Sequence, residues 1–262
     1  MPTLSGLLSS LLLMLLSLPV MLVALAVHES AHGYAAYKLG DPTARNLGRI
    51  TLNPVKHFDL FGFLSMLVFH IGWAKPVPIN ARYFKKPRRD MALTGAAGPL
   101  SNLALALIHL VVLRIAMIFV TKFYAAETNQ FAFALLNNES FTGSLGFTVV
   151  SLIVYLLHLG VALNIMLAIF NLIPVPPFDG SRIFYAFLPP KWYFGIMKYE
   201  RYIMFGFIGL FLVLSYLGLN PLGAVESAIE NFFFWITGMG TRTETGSILY
   251  CMRIYVHVLL TV

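Results

Sequence analysis

Charged residues are scarce in this sequence. Of its 262 residues only 11% are charged, whereas 58% are hydrophobic and the mean hydropathy is +0.79. A soluble globular domain carries roughly 25% charged residues, because its surface has to be solvated. The composition therefore excludes an ordinary soluble domain and predicts an all-α polytopic membrane protein.

Cysteine is almost missing, and acidic residues are few. Cys251 is the single cysteine, which excludes an intramolecular disulfide and any CxxC-type zinc or redox site. Lysine and arginine number 18 against 11 acidic residues, a formal net charge of +7. In a soluble protein this excess would suggest a nucleic-acid partner. In a membrane protein it instead reports which loops face the cytoplasm, so we expect no nucleic-acid partner.

Long apolar runs are abundant. A helix needs roughly 20 mostly apolar residues to cross the hydrocarbon core of a bilayer. The first run could be a secretory signal peptide, but it has no positive charge before it and is too long, so we interpret it as a retained span. Residues 1–219 form the predicted membrane domain, and 220–262 a C-terminal helical extension of uncertain topology. The predicted spans are about 4–39, 91–120, 145–171 and 202–219.

One apolar segment, 60–71, is too short for a span. It has 12 residues, and nine basic residues flank it on its two sides. A re-entrant path would keep all nine on one side of the membrane, as the positive-inside rule favours. Strand-like alternation around the segment predicts a small membrane-associated β-sheet within 44–82. The same rule places 40–90 and 176–201 on the cytoplasmic face.

The sharpest motif is His28-Glu29-Ser30-Ala31-His32. On a helix, positions i and i+4 share a face, so both imidazoles can reach one ion while Glu29 stands beside them. Composition alone would produce about 0.005 such patterns in a chain like this one. Ionisable groups inside a span are costly and indicate function. The motif therefore predicts a zinc site with Glu29 as general base, the alternative being a buried polar cluster that holds helices together.

A catalytic zinc normally takes three protein ligands, so two histidines are not enough. Asp179 follows the third span, where prolines must unwind the backbone, and Gly180 would permit a tight turn after it. The other aspartates, Asp41, Asp59 and Asp90, lie in basic polar stretches typical of solvated loops. Asp179 is therefore the predicted third ligand. An ordinary turn at the water interface is its alternative explanation.

These motifs together resemble the site-2 protease family of intramembrane zinc metalloproteases, in its compact prokaryotic form. The resemblance covers roughly residues 10–190, and the order and separation of the motifs are those of a three-helix catalytic core. Nothing in the chain is long or polar enough for the PDZ or CBS domain that many relatives carry. The matching motifs are HESAH at 28–32, GPLSN at 98–102, NLIPVPPFDG at 171–180 and GWAKPVPIN at 72–80.

The resemblance implies roles for individual residues. His28, His32 and Asp179 would bind Zn²⁺, with Glu29 as the general base. Asn171 matches an asparagine that assists substrate binding or oxyanion stabilisation. The resemblance also implies a role for Asn102 and one for residues 71–82. Asn102 matches the polar position of the central-span motif, with interhelical hydrogen bonding as an equal alternative. Residues 71–82 would pair with an unfolding substrate by strand addition.

The sequence therefore predicts an intramembrane zinc endopeptidase that cleaves transmembrane segments of membrane proteins, as in regulated intramembrane proteolysis. We expect it in the prokaryotic cytoplasmic membrane, with the active site toward the cytoplasm and with membrane proteins and the bilayer as its partners. A divalent-metal transporter and a non-catalytic homologue that only binds membrane proteins are the alternatives. Within the protease class, a different HExxH enzyme would take Glu226 or Glu230 as its third ligand.

Overall fold

The computed structural model describes residues 4–69, 74–137 and 142–219, together with 228, 231 and 232. In these ranges the regular structure is helical, with short 3-10 turns at Pro54–Lys56 and Ala81–Tyr83. The α-helices are numbered in chain order. They are α1 (Leu4–Lys38), α2 (Thr43–Asn46), α3 (Leu60–Phe69), α4 (Pro87–Phe123), α5 (Ala125–Asn137), α6 (Leu145–Leu172), α7 (Asp179–Tyr185), α8 (Pro190–Lys198) and α9 (Glu200–Tyr216).

Three of these helices are long and apolar enough to cross a membrane. They are the part of α1 from Leu15 to Lys38, the whole of α4 and the whole of α6. Pro19 lies inside α1 and Pro99 inside α4 without ending either helix. Proline is tolerated in membrane helices because neighbouring groups satisfy the carbonyl that it leaves unpaired. The all-helical membrane class is therefore confirmed for the described residues, and these three helices lie at the places of the first three predicted spans.

The fourth predicted span, 202–219, coincides with α9. This helix has 17 residues, at the short end of the length that crosses a bilayer, so a fourth crossing stays a prediction. Helix α5 was not predicted, because its sequence mixes apolar and polar residues in a stretch that reads as a loop. Most of the C-terminal extension, 220–262, lies outside the described residues.

The predicted β-sheet in 44–82 is wrong for the described part of that region, which has α2, α3 and two 3-10 turns but no strand. Extended residues do occur at 74–80, but their N–H groups find partners other than a neighbouring strand. Val77 donates to the Glu29 carboxylate and Asn80 to the Asp41 carboxylate. The re-entrant path is not supported either, since Leu60–Phe69 is a ten-residue helix and 70–73 lie outside the described residues.

The chain divides into two compact units. One comprises Met1–Met21, Leu105–Leu163 and Ser227–Val262, and the other comprises Leu22–Ala104 and Asn164–Glu226. In the second unit, small side chains such as Ala24, Ala26 and Ala36 are buried along α1. Small residues let helix backbones approach closely inside a membrane. Every described residue that the sequence proposes for the site belongs to this second unit.

Candidate metal centre

Three side chains converge in the second unit. His28 and His32 lie one turn apart on α1, and Asp179 is the first residue of α7. The two Nε2 atoms are 3.0 Å apart, and Oδ2 of Asp179 lies 3.1 Å from Nε2 of His28 and 3.0 Å from Nε2 of His32. Both histidines are almost fully buried, at 4% and 6% exposure. Among the described residues this is the one group of three His, Cys, Asp or Glu side chains able to hold a metal ion.

Asp179 reaches the histidines because the chain unwinds between α6 and α7. Helix α6 ends at Leu172, two residues before Pro174, and α7 begins at Asp179. The predicted turn at Gly180 is wrong, since Gly180 is helical and lacks a positive φ. A Cβ at Gly180 would overlap the carbonyl groups of Leu172 and Ile173. Glycine is needed there because the start of α7 packs directly against the end of α6.

The far nitrogen of each imidazole is held by a neighbour. Nδ1 of His32 donates to the Thr94 carbonyl at 2.7 Å, and Nδ1 of His28 donates to Oδ1 of Asn102 at 2.8 Å. In the neutral ring, Nε2 then has a lone pair and no proton. Two such lone pairs and a carboxylate oxygen therefore point at one another, an arrangement that is favourable around a cation. Ligands of a tetrahedral zinc with bonds of about 2.0–2.1 Å lie about 3.3 Å apart, so the donor set fits zinc.

The charge on Asp179 suits the same conclusion. Burial alone would raise the pKa of its carboxyl group, but when His28 and His32 are protonated at Nε2 their hydrogen bonds and charge outweigh that effect and hold this pKa below its usual range. A cation among the three groups would take the place of those protons. Asp179 is therefore ionised at neutral pH, which is the form that binds a cation.

Gly98 on α4 explains how a third helix can lie against both imidazoles. A Cβ on Gly98 would overlap the His32 ring and would come within 2.6 Å of Cε1 of His28. No residue with a side chain fits this position without moving a ligand. The structure thus explains why the GPLSN motif has a glycine at this position, which the sequence alone did not explain.

Comparison with known proteins agrees with this geometry. The model of peptidase family M50 matches residues 16–215, which include all five residues of the HESAH motif and Asp179. The chain belongs to peptidase family M50. This family membership confirms the resemblance to the site-2 proteases, and it makes the chain a membrane metalloprotease homologue.

Two relatives of this M50 protein bear the description "Putative zinc metalloprotease". YwhC of Bacillus subtilis (strain 168) is 39% identical over 204 residues, which are 78% of this chain and 80% of YwhC. Rip2 of Mycolicibacterium smegmatis (strain ATCC 700084 / mc(2)155) is 33% identical over 94 residues, which are 34% of this chain and 36% of Rip2. No solved structure matches the chain significantly.

The two asparagines of the M50 chain differ in their position. Asn102 is fully buried and bridges two helices, because it accepts from His28 and donates through Nδ2 to Oδ1 of Asn164 at 3.2 Å. Asn171 donates to the carbonyl of Leu167 in its own helix at 2.9 Å. Asn102 therefore contacts a metal ligand, whereas Asn171 has no hydrogen bond to the three converging side chains. A role for either in substrate binding or oxyanion stabilisation stays a prediction.

The sequence missed several residues around the centre. No sequence motif pointed to Asn164 or Thr94. Each matters only through a partner 62 residues away, Asn102 for Asn164 and His32 for Thr94. Asp41 and Asp90 are buried rather than solvated, contrary to expectation, and accept backbone N–H groups of Thr43, Asn80 and Lys86. The alternative third ligands, Glu226 and Glu230, lie outside the described residues.

Glu29 lies on α1, next in sequence to His28 and one turn before Gly33. It is half-buried, and its Oε2 accepts a hydrogen bond from the backbone N–H of Val77 at 2.8 Å. One carboxylate oxygen of Glu29 is thus held by the backbone of the protein.

Proposed function

We propose that this protein is an intramembrane zinc endopeptidase that cleaves transmembrane segments of other membrane proteins. The observation that carries the proposal is the convergence of His28, His32 and Asp179 within 3.1 Å, with Glu29 next in sequence to His28. Two of these ligands lie in a helix able to cross a membrane. Ionisable side chains within a membrane span cost free energy, so a cluster of them is expected at a functional site.

The proposed reaction is hydrolysis of a peptide bond by an activated water. Zinc bound to His28, His32 and Asp179 would act as a Lewis acid toward the water and the scissile carbonyl. Glu29 accepts the proton of the attacking water and later delivers it to the leaving amine, as one group acting first as base and then as acid. Asp179, His28 and His32 do not exchange protons in this scheme, since they serve as ligands.

A transmembrane substrate must unwind before it can react. In a helix within the bilayer every backbone carbonyl is already hydrogen-bonded, so its peptide bonds are hidden. Residues that weaken the helix, such as glycine or proline, should therefore favour cleavage. We further propose that the site opens toward the cytoplasm of a prokaryotic cell, which the many basic residues of 40–90 and 176–201 support.

The first prediction tests the general base. Zinc-loaded Glu29→Gln protein should lose about 10²–10⁴-fold of its cleavage rate on a single-span test substrate, because an amide cannot take the proton. Its zinc content should stay that of the wild type, since Glu29 is not one of the three ligands. Cleavage is measured in proteoliposomes by the appearance of product fragments, and zinc by elemental analysis.

Glu127→Gln is the matched control. Glu127 binds Ser144 near the start of α6 and belongs to the other compact unit. The control should cleave at the wild-type rate. Full cleavage by Glu29→Gln would contradict the general-base role. Metal flux into proteoliposomes that His28→Ala abolishes and Glu29→Gln retains would instead indicate a transporter.

A further inference from the structure

An extended segment lies across α1 at the position of Glu29. We call residues 74–80 the strap. Its N–H groups are held by the preceding part of the chain at three points: Lys75 donates to the His57 carbonyl at 2.9 Å, Val77 to Glu29 at 2.8 Å, and Asn80 to Asp41 at 2.6 Å. Two of the three acceptors are carboxylates. The strap is therefore tied at its middle to Glu29 of α1, and on either side to His57 and to Asp41, which lies shortly after the end of α1.

The sequence of the strap leaves one donor at its centre. Pro76 and Pro78 have no N–H, so Val77 is the one residue between them that can donate. A residue that precedes a proline is pushed to an extended backbone, which applies to both Lys75 and Val77. The two prolines therefore largely fix the direction of the Val77 N–H, independently of the contact with α1.

The side chain of Val77 fixes the strap along the helix. Val77 is buried, at 7% exposure, and its Cγ1 lies 3.2 Å from the place that a Cβ on Gly33 would take. Ala44 and Ile50 approach the same place at 3.2 Å. Gly33 is four residues after Glu29, so both lie on one face of α1. The Val77 backbone therefore meets Glu29 while its side chain packs over Gly33, one turn further on.

We propose that the backbone N–H of Val77 is a positioning group for the general base. By holding Oε2 of Glu29, it sets the rotation of the carboxylate and leaves Oε1 for the proton of the attacking water. A glutamate has several freely rotating bonds, and an error of about 1 Å in such a group can cost about 100-fold in rate. The inference rests on the proposed function, and it assigns to the strap a role in arranging the catalytic residue.

The second prediction removes the donor alone. Val77→Pro deletes the N–H where the backbone is already extended, and it should lower kcat by about 10-fold or more while KM and zinc content stay unchanged. Val77→Ala keeps the N–H but loses the packing over Gly33, so its loss of kcat should be smaller than that of Val77→Pro. Ile79→Pro is the matched control, since it removes a strap N–H that has no partner among the described residues. In the Glu29→Gln background Val77→Pro should cost nothing further, because the two groups act together.

A second measurement needs no cleavage. Glu29→Ala should speed the hydrogen exchange of the amide of Val77 in the wild-type strap, measured by mass spectrometry, because the acceptor is gone. The amide of Lys75, bound to the His57 carbonyl, serves as the internal reference. Equal exchange with and without the Glu29 carboxylate would overturn the inference even if Val77→Pro failed to fold.

The outcomes separate the two proposals. Cleavage that Val77→Pro leaves intact, or that Ile79→Pro lowers as much as Val77→Pro does, would overturn the positioning role and leave the proposed protease standing. A wild-type protein that holds zinc and protects the Val77 amide but cleaves no transmembrane test substrate would overturn the proposed function, and the positioning role with it.

Discussion

At the scale of single residues, the centre depends on the hydrogen-bond partners that orient its side chains. His28 is held through Asn102, and Asn102 through Asn164, in a chain of hydrogen bonds of 2.8 and 3.2 Å between fully or nearly fully buried groups. This chain selects the form of the His28 ring that has its lone pair on Nε2. Partners of this kind commonly contribute 10–100-fold to metal affinity.

The third prediction concerns this chain of asparagines. Asn102→Ala should weaken zinc binding by about 10–100-fold, because Nδ1 of His28 loses its acceptor inside the protein. Asn164→Ala should weaken it less, since its effect passes through Asn102. The measurement is competition with a chromophoric chelator on purified protein. Asn171→Ala, which changes an asparagine bound within its own helix, should leave zinc affinity unchanged. Equal affinities for Asn102→Ala and the wild type would contradict the orienting role.

At the scale of helices, the centre exists because α1, α4 and α7 approach one another within the second unit. The lack of a side chain at Gly98 lets the two imidazoles lie against α4. The lack of one at Gly95 lets α4 approach α7, because a Cβ on Gly95 would lie 3.2 Å from the Asp179 carbonyl oxygen. Close approach of helix backbones at small residues is a common way to pack helices in membranes. The ligand geometry is thus a consequence of helix spacing.

The fourth prediction enlarges Gly98. Gly98→Ala should lower zinc affinity by at least about 10-fold, because its methyl group overlaps the His32 ring and at least one imidazole must move. Gly206→Ala, the same change on α9 with nothing within 4 Å of the new methyl group, should bind zinc normally. Zinc retention through dialysis and chelator competition distinguish the two variants. Normal zinc binding by Gly98→Ala would show that the helices separate easily.

At the scale of the whole molecule, the proposed protease needs a fixed orientation in the membrane. Helix α4 can cross the bilayer, so residues beyond its two ends should face opposite sides. The basic residues gather before its first residue, Pro87, whereas the segment after Phe123 has few. The positive-inside rule therefore predicts that the N-terminal end of α4 faces the cytoplasm.

The fifth prediction tests this orientation. Cys251→Ser removes the single native cysteine, and new cysteines are placed at Tyr83 and Phe123, which are 53% and 60% exposed. A membrane-impermeant maleimide should label Phe123→Cys in intact bacterial cells. Tyr83→Cys should be labelled only after the cells are opened. The reverse pattern would contradict the cytoplasmic placement.

The sequence by itself determined the membrane class, the places of three long apolar helices and the pair of histidines on α1. These follow from local properties: the length of apolar runs, the spacing of His28 and His32 over one helical turn, and the high cost of ionisable groups in a bilayer. It also singled out Asp179, because prolines must unwind the chain before it.

Only the tertiary structure decided which distant groups meet. His28 and Asp179 are 151 residues apart, His28 and Asn102 are 74 apart, and Glu29 and Val77 are 48 apart. No local pattern predicts such contacts, because they depend on how closely helices pack. For the described part of 44–82, the predicted sheet was wrong for the same reason. The alternation in 74–80 is typical of a strand, but the N–H groups of Lys75, Val77 and Asn80 donate to a loop carbonyl and two carboxylates. These acceptors take the place of a neighbouring strand for those three groups.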